Sequence, residues 1–175
     1  MAILKNVELF YPRLDPKKPN SKFNKEQPTW EVQIRTRDKT VKNEWAALNL
    51  KPKTVEDDDG KVFYSVTLRK KSKKKDGEVN QPVKVIDGGL NDINPMSIGN
   101  GSIGNIRIFQ YEYGDEGKIA SMLMAVQITK LNEYIPKAND DEFEIMFGGY
   151  NRSNHISSKK FLDIIKFLKN YGESN

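Results

Sequence analysis

The chain has 175 residues, no cysteine, and 29 Lys and Arg against 24 Asp and Glu, for a net charge of +5. That length suits one domain with a core of its own, and the missing cysteines exclude disulfides, thiolate metal sites and cysteine nucleophiles. No uncharged apolar run is long enough to span a bilayer and no secretory signal opens the chain, so the expectation is a soluble cytoplasmic protein with no membrane partner.

Taken from the start, "VELFYPRL" (7–14) begins as a strand that stops at Pro12, and "DPKKPNSKFNKEQP" has the composition of a loop. "TWEVQIRTR" (29–37) alternates, with Trp30, Val32 and Ile34 on one face and Glu31, Gln33, Arg35 and Arg37 on the other. Thr40 is placed to cap a short helix carrying Val41, Trp45 and Leu48, ending before Pro52. After "EDDDG" (56–60) comes "KVFYSVTLRKKSKKK", with Val62, Tyr64, Val66 and Leu68 inward and Phe63, Arg69 and Lys71 outward. A short strand, "PVKVID", and a Gly/Asn-rich loop lead to "NIRIFQYEY" (105–113). Here Arg107, Phe109, Tyr111 and Tyr113 share one face, and Ile106 and Ile108 the other. Through the turn "GDEG" this strand pairs with "KIASMLMAVQITKLNEYI" as a long hairpin. An acidic connection, 136–156, precedes a C-terminal amphipathic helix, 157–171, whose apolar face is Phe161, Ile164, Ile165 and Leu168.

The expected architecture is all-β: a small barrel over about residues 1–135, with one short internal helix and the C-terminal helix, as a single domain. Among such folds the OB barrel binds oligonucleotides on its outer face.

Several motifs are weaker than they look. "GNGSIG" (99–104) matches G-x-G-x-x-G, but a strand rather than a helix follows it, so it reads as a flexible loop. "EDDDG" lacks EF-hand spacing and reads as a solvated turn. His155 is the only histidine and supports no catalytic triad. Neither an acid/base pair nor a cofactor motif stands out, so no cofactor or metal is expected and no catalytic residue is named. The acidic residues Asp140, Asp141, Glu142 and Glu144 leave open a metal-dependent nuclease as an alternative.

The basic and aromatic sets are more informative. Residues 1–90 carry 20 Lys and Arg against 13 Asp and Glu, and residues 91–175 carry 9 against 11, so the basic surplus lies in the first half. Six of the seven residues in "RKKSKKK" (69–75) are basic. Single-stranded nucleic acid is held by cations on its phosphates and by rings under its bases. Three strands supply mixed outward sets: Arg35 with Arg37; Phe63 with Arg69 and Lys71; Arg107 with Phe109, Tyr111 and Tyr113. Lys73 and Lys74 extend the second set, and Lys17, Lys18, Lys22 and Phe23 flank the first. A protein-interaction module using the same stripe is the other alternative.

The order of strand, "WEVQIRTR" strand, short helix, strand, "VIDGGLNDINPMSIGNGSIGNIRI" and closing hairpin resembles the OB-fold single-stranded DNA-binding proteins of tailed bacteriophages. The resemblance implies a non-enzymatic replication and recombination accessory protein that coats single strands in the host cytoplasm. Single-stranded DNA is then the partner, with room for a homodimer and for replication proteins. The family's acidic tail is not matched by the ending "KNYGESN".

Overall fold

The structure, a computed structural model, describes residues 1–22 and 25–135. Phe23, the acidic connection and the C-terminal helix lie outside these residues. The described part, a compact unit spanning Met1–Tyr134, holds seven strands and one α-helix. They are β1 (Ala2–Arg13), β2 (Thr29–Thr36), α1 (Lys39–Ala47), β3 (Lys53–Glu56), β4 (Val62–Lys71), β5 (Lys84–Asp87), β6 (Ser102–Tyr113) and β7 (Lys118–Lys130), with a 3-10 turn at Pro95–Ser97.

β1 pairs antiparallel with both β2 and β6, β2 with β4, and β6 with β7. A single parallel bridge, Arg69 opposite Met122, joins β4 to β7 and closes the ring. The result is the five-stranded barrel β1-β2-β4-β7-β6, with β3 added at the edge of β4 and β5 at the edge of β7. This ring is an OB barrel.

Alternation explains the core. Trp30, Val32 and Ile34 of β2, Val66 and Leu68 of β4, and Ile106 and Ile108 of β6 are buried together with Leu123 and Val126 of β7. β1 starts at Ala2, earlier than "VELFY" suggests, because a bulge between Leu4 and Val7 breaks its period of two while keeping both residues inside. Asn6 sits at φ 53° in that bulge, and its N–H donates to Asn105 Oδ1 at 3.0 Å.

α1 is two residues longer at its start than a Thr40 cap implies. Asp38 is the cap, its Oδ1 accepting from Thr40 N at 2.8 Å, because a carboxylate two residues upstream reaches the open N–H more directly. The helix drops Trp45 into the core. Gln110 Nε2 donates to the Leu48 carbonyl at 2.6 Å, tying the stem of the β6–β7 hairpin to the helix end. On β4, Val62 is exposed rather than inward, and the inward series ends instead at Lys70.

The "GNGSIG" loop is explained by close packing rather than by a nucleotide. A Cβ at Gly104 would strike the carbonyl of Gln127 on β7, and one at Gly99 would meet the carbonyl of Asn132. Gly104 lets β6 lie against β7, and Gly99 lets the entry to β6 lie against the chain that follows β7.

Candidate nucleic-acid interface

The outer wall of β1, β2 and β4 carries a ring and cation cluster. The β1–β2 register puts Glu8 opposite Arg35 and Phe10 opposite Gln33. Outward side chains on adjacent strands then interleave, and the Arg35 guanidinium lies 3.9 Å from the Phe10 ring centroid and 4.4 Å from that of Phe63. Gln33 Oε1 accepts from Arg35 Nε at 2.6 Å, which fixes the plane of the guanidinium. Arg35 is thus held between two rings by cation–π attraction and packing.

Tyr11 extends this cluster. Its ring is 57 % exposed, 6.2 Å from Phe10 and 5.4 Å from the Arg35 guanidinium. The backbone at Tyr11 has φ 51°, an uncommon conformation for a bulky residue. The Asn100 side chain holds it there, Oδ1 accepting from Tyr11 N at 2.7 Å. Neither Phe10 nor Tyr11 was singled out in the sequence, because their meeting with Arg35 depends on cross-strand register. The one visible signal was the ring pair before Pro12.

Each candidate residue can now be placed. Phe63 faces outward as expected, yet it is only 9 % exposed, covered by Arg35 and by Arg37 at 5.8 Å. Arg37 Nη2 pairs with Asp57 Oδ2 at 2.8 Å. The Arg37 hydrogen bond, aided by the Lys61 N–H, holds the Asp57 carboxyl below the usual carboxylate range. The "EDDDG" turn therefore serves to anchor Arg37. Arg69 Nε pairs with Glu31 Oε2 at 2.8 Å, and Glu31 also accepts from Asn20 Nδ2 at 2.6 Å. One buried carboxylate thereby fixes both Arg69 and the loop between β1 and β2.

Between β4 and the chain after α1 lies a polar groove of about 220 Å³, lined by Gln33, Ser65, Thr67 and Arg69 with Leu50, Lys51 and Lys53. Its three cations face the same wall as the Arg35 cluster. Lys53 escaped the sequence reading because β3 is too short to show alternation, and Lys51 because it lies in the connection before β3.

The β6–β7 hairpin carries the second set. Arg107, Phe109, Tyr111 and Tyr113 line one face, opposite the buried Ile106 and Ile108, as the alternation predicts. The rings form a ladder, 6.1 Å between Phe109 and Tyr111 and 6.5 Å between Tyr111 and Tyr113, with exposures of 39, 45 and 49 %. Arg107 has no ion pair among the described residues. Barrel closure joins the two sets: Arg69 pairs with Met122, which pairs with Phe109.

Lys71, Lys73 and Lys74 belong to neither set. They lie beyond Arg69 on a finger closed by the Lys73–Val79 bridge, and all three are exposed. Among the described residues no three acidic or histidine side chains gather for a metal. Asp140, Asp141, Glu142, Glu144 and His155 lie outside them.

Compared with solved structures, the chain is similar to the single-stranded DNA-binding protein of bacteriophage Enc34 in complex with ssDNA. The TM-score is 0.52 and the identity 18 %, over 77 % of this chain and 88 % of that one. The two share the OB-barrel fold. The chain also aligns with gp2.5, a single-stranded DNA-binding protein encoded by bacteriophage T7, at 14 % identity over 75 % of this chain and 93 % of that one, with a TM-score of 0.43. No family model and no curated protein matches the chain. Among the described residues no helix is long and apolar enough to cross a membrane.

Proposed function

We propose that this protein binds single-stranded DNA with little sequence preference, as a phage replication and recombination accessory protein that coats and protects strands and is not an enzyme. The observation that carries the reading is the outer wall itself. Rings and cations run together from Tyr11, Phe10 and Arg35, past Arg69 and Met122, to Phe109, Tyr111 and Tyr113. The fold shared with the Enc34 protein supports it.

In this reading Phe109, Tyr111, Tyr113 and Tyr11 stack bases, while Arg107, Lys71, Lys73 and Lys74 meet phosphates. Phe63 backs Arg35 from below, so the guanidinium plane presents the stacking surface there. Arg37 and Arg69, already held by carboxylates, contact the strand from fixed positions.

The test is fluorescence anisotropy of a labelled, unstructured oligonucleotide of about 20–30 bases, spanning at least one OB-fold site, with duplex DNA as competitor. We expect binding that falls steeply with salt and that duplex does not displace. Tyr111→Ala and Tyr113→Ala should each weaken it about tenfold, within the range for a lost base stack. Absence of binding at low salt would turn the ring ladder into a protein interface. Unchanged affinity in Arg107→Glu and Lys71→Glu would overturn the assignment of these cations.

A further inference from the structure

Two charged loops are left over by the barrel and its ring-bearing wall. The turn of the β6–β7 hairpin, residues 112–118, holds Glu112, Asp115 and Glu116 against Lys118, and all four are exposed. Lys118 is within 3.6 Å of Glu116, which leaves Glu112 and Asp115 without an ion pair among the described residues. The finger, residues 69–78, holds five exposed basic residues, Arg69, Lys71, Lys73, Lys74 and Lys75, against Asp76 and Glu78, and among the described residues only Lys74 and Arg69 have ion pairs there.

The strand directions place these loops apart. β4 and β7 are parallel where Arg69 meets Met122. β4 runs from that bridge into the finger, whereas β7 runs up to it from the acidic turn. The two loops therefore leave the barrel in opposite directions. From Lys118 to Met122 and from Arg69 to Lys71 is about 20 Å of strand at roughly 3.3 Å per residue, before either loop begins. Within one copy the charges do not reach each other.

We propose that neighbouring copies contact head to tail, the acidic turn of one against the basic finger of the next, when they occupy the same strand. Turn-to-turn and finger-to-finger contacts set like charges together and are disfavoured. The contact is therefore heterologous, and such a contact propagates along a line rather than closing into a symmetric dimer. A few exposed ion pairs are too weak to hold free copies together. On one strand the effective concentration is high enough for them to matter. The resulting cooperativity is on the order of tenfold between adjacent copies, at low salt, and is lost as salt screens it.

The inference rests on the DNA-binding reading, and its test separates the two. The natural chain has no cysteine, so single-cysteine variants report one contact each. Asp115→Cys and Lys75→Cys proteins are mixed, with a mild thiol oxidant such as diamide added to take up the two electrons, on oligothymidylate of about 60 nucleotides, enough for several OB-fold sites, and of about 12, enough for one. We expect the mixed disulfide on the long strand only, and Asp115→Cys self-pairs to be rare. In parallel, Asp115→Asn/Glu116→Gln should abolish cooperativity on the long strand and leave affinity for the short one unchanged. Equal cross-linking without DNA, self-pairs in equal yield, or cooperativity that survives neutralising the turn would each overturn the head-to-tail contact. Failure to bind the short strand would overturn the DNA reading and this contact with it, whereas binding without cooperativity would overturn the contact alone.

Discussion

At Lys70 the alternation of β4 places an amine at an inward position, opposite Trp30 and 6 % exposed. It has neither a hydrogen bond nor an ion pair among the described residues, and burial lowers its pKa from 10.5. The folded state then binds this proton less well than the unfolded state. Between the lowered pKa and about 10.5 the unfolded chain holds more protons, so this group makes stability rise with pH. Below the lowered pKa the full penalty is present. Lys70→Met should therefore stabilise the fold by roughly 1 kcal/mol at neutral pH, the lower end of the cost of an unsatisfied buried polar group. Urea melts from neutral to alkaline pH should show the wild type approaching the variant as pH rises. Glu31 presents the opposite case, a buried carboxylate fully used by Arg69 and Asn20. Glu31→Gln releases the Arg69 charge to phosphate, so single-strand affinity should rise about two- to fivefold, with a salt slope steeper by close to one counterion. An unchanged slope would show that Arg69 does not meet the strand.

Among the elements, β6 and β7 depend on backbone approach. Gly104 lies where the β6–β7 register shifts, and any side chain there meets the Gln127 carbonyl. Gly104→Val should cost about 2–4 kcal/mol, as overpacking against backbone does, seen as a lower urea midpoint with unchanged m. β2 and β6 were legible because each alternates over eight or more residues with one face buried, and β7 as the second arm of the hairpin after β6, although a register shift opposite Arg107 and Ile108 puts its buried Leu123 and Val126 three residues apart. β3 was not, since four residues at the edge of β4 bury almost nothing. The start of β1 was hidden by its bulge, which turns a period of two into Leu4 and Val7. The shared outward face of Phe109, Tyr111 and Tyr113 was legible for the same reason as their strand, since it needs only their own alternation. The Phe10–Arg35–Phe63 stack needs the registers of three strands, which no single strand's pattern contains.

For the molecule as a whole, the Arg69–Met122 bridge decides whether the two ring-bearing sets are one surface or two. It makes the β1-β2-β4 wall and the β6–β7 ladder neighbours around a closed ring, so a strand lying on one can continue onto the other. A ligand that touches both walls binds only the folded barrel, and mass action then raises its stability. Single-stranded DNA at about 100 times its dissociation constant should add about 2.7 kcal/mol. For a domain of this size that is a rise in Tm of roughly 5–15 °C. Duplex of the same length, although it carries twice the phosphates, should give much less, because its bases are not free to stack on the ladder. Thermal melts at low and high salt with both ligands measure this directly. A rise with single strands that duplex matches would reduce the interface to its lysines and arginines, since charge alone does not distinguish the two. A rise confined to single strands, and halved in Tyr111→Ala, would require the rings and the closed ring that aligns them.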